Sequence, residues 1–285
     1  MINKKILPAE DIAMSGQIRL ALGSVALIMF ITVGCGVDQH DSDFNPETIL
    51  PKEIIDLSPV ITENLTEQIW GKAALQMLGF RGTTNFVHVG IDTPTYVRNS
   101  YIELFNHGGA HLDAPNHMDK DGMSIEGWDL KKLIGPVKIL DATSYKENQP
   151  IPVEPLIELN LSSRDIFILH VAYTPPGDDK DLPSYPFLSS EAVEYLASIP
   201  VKAVATDAFS IESFTGFAER VEVGFTGYES LIPNHHAILT NGIPLFEALE
   251  NVSELLDKED VIFLGFPLKI KNGNASPVRA VAFVY

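Results

Sequence analysis

The run His107-Gly-Gly-Ala-His111-Leu-Asp113-Ala-Pro-Asn-His117 gathers three imidazoles and one carboxylate within eleven residues. Histidines four apart would share a face on a helix, but Gly108, Gly109 and Pro115 each oppose helix formation. The segment therefore reads as extended. At a period of two, His111 and Asp113 project to the same side of a strand. The glycine pair lets the backbone bend so that His107 reaches the same point, and Pro115 turns the chain to present His117 beyond it. A lone histidine is more often a surface residue than a ligand. Four potential ligands this close, in a chain with eight histidines, point instead to a divalent cation. Imidazole and carboxylate without thiolate suit Zn²⁺ or Mn²⁺, and an open catalytic site rather than a closed structural one.

Outward from this run, strand and helix signals intermix. Strands are expected at Ile54–Ser58, stopping at Pro59, and over Phe86–Ile91, Tyr101–Phe105, Val137–Leu140 and Ile166–Val171. Further strands are expected over Val201–Ala205, Val261–Phe266 and Val278–Val284. Helices are expected over Glu67–Leu78, Pro152–Leu159 and Ser190–Ser198, the last capped by Ser189 or Ser190. One or two helical segments are expected over Leu245–Leu256. With no strict βαβ rhythm, the pattern implies one α/β domain with a mixed sheet over residues 53–285.

The bulk numbers set limits. A chain of 285 residues, 45% hydrophobic, can build one sizeable core. A net charge of −18 repels phosphate backbones and argues against a nucleic-acid partner. Cys35 is the single cysteine, which excludes an internal disulfide and a cysteine-held zinc. No Gly-x-Ser-x-Gly elbow occurs, so a serine or cysteine hydrolase has no support.

At the start of the chain, Lys4, Lys5 and Arg19 precede an apolar stretch, Leu20–Ile31, and then Thr-Val-Gly-Cys35. This is the shape of a secretory signal, and it is short for a spanning helix, which needs about 20 residues. It resembles a bacterial lipoprotein signal in which Cys35 carries the lipid after cleavage. Residues 1–37 are expected to be this signal and its lipobox, and residues 38–52 a polar tether. The protein is then exported to the periplasm or cell envelope, meeting the membrane only through that anchor.

The hallmark run resembles that of the cyclase family that includes bacterial kynurenine formamidase and isatin hydrolase, which reads His-x-Gly-Thr-His-x-Asp-x-Pro-x-His. Supporting segments follow in the family's order: Asp56-Leu-Ser-Pro, Gly135-Pro-Val to Leu140-Asp141, Asp207-Ala-Phe-Ser210-Ile, His235 to Glu247, and Phe266-Pro-Leu-Lys-Ile to Ser276-Pro-Val-Arg-Ala280. The resemblance implies a mixed-sheet, swivelling β/β/α fold and a homodimer or larger assembly. It implies that His107, His111 and Asp113 hold a first metal and that Asp113 bridges to a second. His235 would bind that second ion, Glu247 would contact both, and His117 would be the catalytic acid/base. One or two ions of Zn²⁺ or Mn²⁺ are compatible with this set. Ala110 departs from the family's threonine. Glu212 stands where many relatives carry aspartate, a difference that bears on substrate identity more than on metal binding.

A cation in such a site lowers the pKa of bound water from 15.7 towards ~7, and an imidazole at His117 can carry the proton to the leaving group. The expected activity is therefore hydrolysis of a small-molecule amide, formamide or cyclic amide, or of a lactone, as in the tryptophan catabolism of kynurenine formamidase. Phe80, Phe86, Tyr101, Trp128 and Tyr173 are candidates to line an aryl pocket. The alternative is an exported, non-catalytic lipoprotein that binds metal or ligand with the same cluster, which leaves His117 without a role.

Overall fold

The computed structural model describes residues 49–89, 99–199 and 201–285. The expected signal, Cys35 and residues 38–48 of the expected tether lie outside the described residues. In chain order the first strands are β1 (Glu53–Asp56), β2 (Asn85–Val89), β3 (Asn99–Glu103), β4 (His111–Asp113), β5 (Ile134–Asp141), β6 (Pro150–Ile151) and β7 (Ile166–His170). They are followed by β8 (Phe187–Leu188), β9 (Ala203–Thr206), β10 (Leu245–Glu247), β11 (Val261–Leu264), β12 (Ala275–Pro277) and β13 (Val281–Val284). The helices are α1 (Leu65–Trp70), α2 (Lys72–Leu78), α3 (Glu154–Glu158), α4 (Ser190–Ser198), α5 (Phe214–Val223), α6 (Tyr228–Leu231) and α7 (Pro233–Thr240). Among the described residues no helix is long and apolar enough to cross a membrane.

Nine strands form one mixed sheet in the order β1-β13-β11-β5-β7-β9-β10-β4-β12. The middle four, β5, β7, β9 and β10, are parallel, and the strands on both flanks are antiparallel. Consecutive strands β12 and β13 lie near opposite ends of that order, so the sheet must curl until its ends approach. The link between them bonds to both ends: Val278 N–H donates to Ala110 O, and Leu57 N–H donates to Ala280 O.

Burial follows the two-residue period. On β7, Ile166 and Ile168 face the inside of the curl with Leu112, Phe246 and Phe263. Phe167 and Leu169 face outward, in one core with Leu196 of α4 and Leu239 of α7. A strand covered on both faces is read as an unbroken apolar run, which is how Ile166–Val171 stands in the sequence.

Two expected elements differ. The helix over Glu67–Leu78 is split at Gly71, whose φ of 76° lies in the left-handed region that glycine tolerates best. Leu245–Glu247 is a strand rather than the start of a helix, because it pairs with β9 on one side and β4 on the other. Only a short 3₁₀ turn at Val252–Leu255 remains of the helical expectation. Helices α5 and α7 and strand β12 were not anticipated.

At the end of β7, His170 Nδ1 donates to Asp207 Oδ2 at 2.7 Å. Asp207 also accepts the N–H groups of Val171 and Ala172. The bond to Asp207 raises the His170 pKa; burial opposes it, and Asp141 adds to the rise. A raised folded-state pKa stabilises fully below the unfolded value, about 6.5, and that contribution fades as pH climbs through the folded value. Thermal melts of wild type and His170→Gln should therefore differ most below pH ~6.5 and converge as pH rises above it. A gap that widens with pH would contradict this assignment.

Candidate metal centre

Strand β4 lies between β10 and β12, and its register builds the site. His111 pairs with Glu247, Leu112 with Phe246, and Asp113 with Leu245. Alternation sends Leu112 and Phe246 into the inner core and sets His111, Asp113 and Glu247 on the opposite face. Pro115–His117 is a 3₁₀ turn in which His117 N–H donates to Ala114 O, so the proline redirects the chain as expected. His235 enters from the first turn of α7, just after Pro233. His107 arrives across Gly108 and Gly109, but neither glycine has a positive φ. They are required by close approach instead: a Cβ on Gly108 would stand 2.9 Å from Phe105 O and collide with Thr66, and one on Gly109 would stand 2.8 Å from Leu65 Cδ2.

All six site residues expected within the domain converge. Asp113 Oδ1 lies 3.0 Å from His107 Nδ1 and 3.6 Å from His111 Nε2. Glu247 Oε2 is 3.6 Å from His111 Nε2, and its Oε1 is 3.3 Å from His235 Nε2. His235 Nε2 is also 3.7 Å from Asp113 Oδ2. The His117 ring centre lies 4.5 Å from that of His107 and 5.9 Å from that of His235. Two donor groups stand out, His107–Asp113–His117 and His111–Asp113–Glu247, and they share Asp113. In this grouping His117 is near enough to be a ligand as well as an acid/base.

These side chains fit a divalent cation. His107 Nε2, His111 Nε2 and both Asp113 oxygens are buried without a hydrogen-bond partner. Leaving such groups unsatisfied costs about 1–3 kcal/mol each. Ligands at about 2.1 Å from one tetrahedral ion stand ~3.4 Å apart, close to the separations found here. His111 Nδ1 donates to Gly109 O at 2.7 Å, which leaves the Nε2 lone pair facing Asp113 and Glu247.

Electrostatics agree. Burial alone would raise the Asp113 pKa, but the imidazoles of His107, His117 and His111 hold it well below the usual carboxylate range. Glu247 is likewise lowered against burial, by His235 and His111. Burial disfavours charge on His111 and His235, yet the carboxylates beside them raise both pKa values. His117 goes the other way. Burial lowers it to about 4 against the pull of Asp113, with His107 and His235 adding to the fall. The centre is thus a buried pair of ionised carboxylates demanding positive charge.

Groups to which the sequence reading gave no such part hold this arrangement. Trp70 Nε1 donates to His107 O, and Trp128 Nε1 donates to Asp113 O. Ile211 N–H donates to Glu247 Oε1 at 2.6 Å. Glu212 Oε1 accepts from His235 N–H at 2.9 Å and lies 3.4 Å from His235 Nδ1.

The cluster forms the floor of a cavity of about 370 Å³. Its walls include Trp70, Phe80, Phe105, Phe209 and Phe214, whose rings meet edge-on or tilted at 5.1–6.1 Å. Of the five aromatic residues anticipated, Phe80 alone lines the cavity. Trp128 is buried beneath β4, and Tyr101 is exposed on β3. Phe86 is half-buried on β2. Tyr173 packs behind Phe209, with its hydroxyl donating to Ile69 O.

A sequence model of the family described as "Putative cyclase" matches residues 55–213. The kynurenine formamidase of Delftia acidovorans is 30% identical over 193 residues, covering 65% of this chain and 79% of that protein. That of Bacillus cytotoxicus is 26% identical over 181 residues, covering 63% and 77%. Isatin hydrolase A from Ralstonia solanacearum superposes with a TM-score of 0.66 at 18% identity, covering 82% of this chain and 92% of the other. That likeness concerns the fold, and it is the curled mixed-sheet architecture that the sequence resemblance implied.

Proposed function

Since the chain belongs to the cyclase family, we propose that it is a metal-dependent hydrolase of an aryl formamide or cyclic aryl amide, with an aryl lactone as a further substrate of the same geometry. The observation that carries this reading is the set of buried, unpartnered imidazole and carboxylate atoms at the floor of an aromatic cavity. His107, His111, Asp113, His235 and Glu247 would hold one or two ions of Zn²⁺ or Mn²⁺. The bound cation supplies Lewis acidity and acidifies water.

The chain's own residues do the rest. Trp70, Phe105 and Phe209 orient an aryl group by stacking and edge contacts and keep bulk water from its carbonyl. His117 takes a proton at one ring nitrogen and delivers it to the leaving nitrogen or oxygen; its lowered pKa keeps the resting ring neutral and makes its protonated form a ready donor. The relatives named kynurenine formamidase favour the formamide. The non-catalytic alternative gains no support, since the relatives matched are enzymes and His117 would be left idle.

Export and lipidation at Cys35 remain part of the proposal, on the strength of the charged start and apolar stretch ahead of it. A homodimer or larger assembly is proposed from the resemblance alone.

Metal analysis of the purified domain, coupled to a hydrolysis screen over formanilides, cyclic amides and lactones, tests the function. Exhaustive chelation is expected to abolish turnover and lower Tm, and re-addition of Zn²⁺ or Mn²⁺ to restore both. Turnover that survives chelation would refute the reading.

A further inference from the structure

Glu212 is 4% exposed, yet neither the expected ligand set nor the catalytic assignment uses it. One of its oxygens is hydrogen-bonded to the protein and the other faces a guanidinium. Oε1 accepts the N–H of His235, an amide that the start of α7 would otherwise leave unpaired, and the same atom lies 3.4 Å from Nδ1 of that ring. Oε2 is 3.7 Å from Arg220 Nη2, while Arg220 Nε is anchored on Leu231 O. The Glu212 backbone is held at both ends, its O accepting from the Tyr185 hydroxyl at 2.7 Å and its N–H donating to Ser210 Oγ. One fixed carboxylate therefore ties the start of a helix to the ring of its third residue.

We propose that Glu212 is a positioning residue of the metal centre: it holds His235 with Nε2 facing Asp113 and Glu247, and so sets the affinity of the cation position that His235 completes. This rests on the reading of the cluster as a metal centre. An Nδ1–H directed at a carboxylate leaves the Nε2 lone pair free for a cation and makes it a stronger donor. Glu212 is also where the sequence departs from the aspartate of many relatives. Sequence reading attached that departure to substrate choice, whereas its carboxylate is spent on a proposed ligand.

The test is calorimetric titration of the cation-free, full-length protein with Zn²⁺ and separately with Mn²⁺, alongside Glu212→Gln, His235→Gln and the double variant. Glutamine retains an oxygen to cap α7, so a purely structural role predicts wild-type metal binding. Positioning predicts that Glu212→Gln folds with a Tm near wild type and weakens, by about 10–100-fold, the same binding event that His235→Gln removes. The double variant should lose nothing beyond His235→Gln. Wild-type affinity in Glu212→Gln, or additive losses in the double variant, would overturn the proposal. Should the wild-type protein bind neither cation, the metal-centre reading itself fails, a result distinct from an unaffected Glu212→Gln. Independently of any variant, the imidazole nitrogen shifts of His235 in the cation-loaded protein should report a proton on Nδ1 and none on Nε2. The opposite tautomer would also overturn the proposal.

Discussion

Asp113→Ala is expected to release the divalent cation and, with it, turnover, by about 10⁴-fold or more in kcat/KM. The estimate follows from losing a group that brings the pKa of water from 15.7 to ~7, at 1.36 kcal/mol per tenfold in rate. Asp113 belongs to both donor groups, is fully buried, and offers two oxygens that no protein hydrogen bond satisfies. The nearest carboxylate, Glu247, already belongs to the cluster and accepts the Ile211 amide at Oε1, so it is not a spare replacement. The measurement is metal content by mass spectrometry beside a hydrolysis assay. A second readout is thermal: added Zn²⁺ or Mn²⁺ should raise the Tm of wild type and leave that of Asp113→Ala unmoved. Full activity in a metal-free variant would remove the basis for the proposed chemistry.

His117→Ala should behave differently, keeping its metal while kcat falls about 10²–10⁴-fold, the usual worth of a positioned acid/base. His117 sits on a short turn at the cavity wall rather than on the sheet, half-buried where the other five are buried. Its proximity to His107 and Asp113 leaves a ligand role open on distance alone, and metal content separates the two. If the cation departs with His117, the residue is a ligand and the proton must travel by another group.

The hallmark was legible because its chemistry is local. Period-two alternation at His111 and Asp113 and the turn at Pro115 are properties of neighbouring residues, and the strand and 3₁₀ turn follow them. Glu247 and His235 were reachable only by resemblance. They lie more than a hundred residues from Asp113, and only the sheet order β9-β10-β4 brings Glu247 beside His111. The same pairing defeated the helical reading of Leu245–Leu256, because two flanking strands outweigh local propensity. The aromatic lining was mostly misassigned for a related reason: any ring can be core or wall, and Trp128 turned out to brace Asp113 from below. Gly108 and Gly109 were rightly singled out but for the wrong cause, since the crowding by Thr66 and Leu65 comes from α1, far earlier in the chain.

The position of β4 between β10 and β12 also dictates when the centre can exist. A ribosome that has finished Asp113 has made the hallmark run but neither neighbour of its strand; Glu247 and residues 275–277 lie far downstream in the chain. Until those segments emerge, the hallmark histidines have neither neighbouring strand to hold them. Cation loading must wait for β10 and β12, in whichever compartment the chain folds.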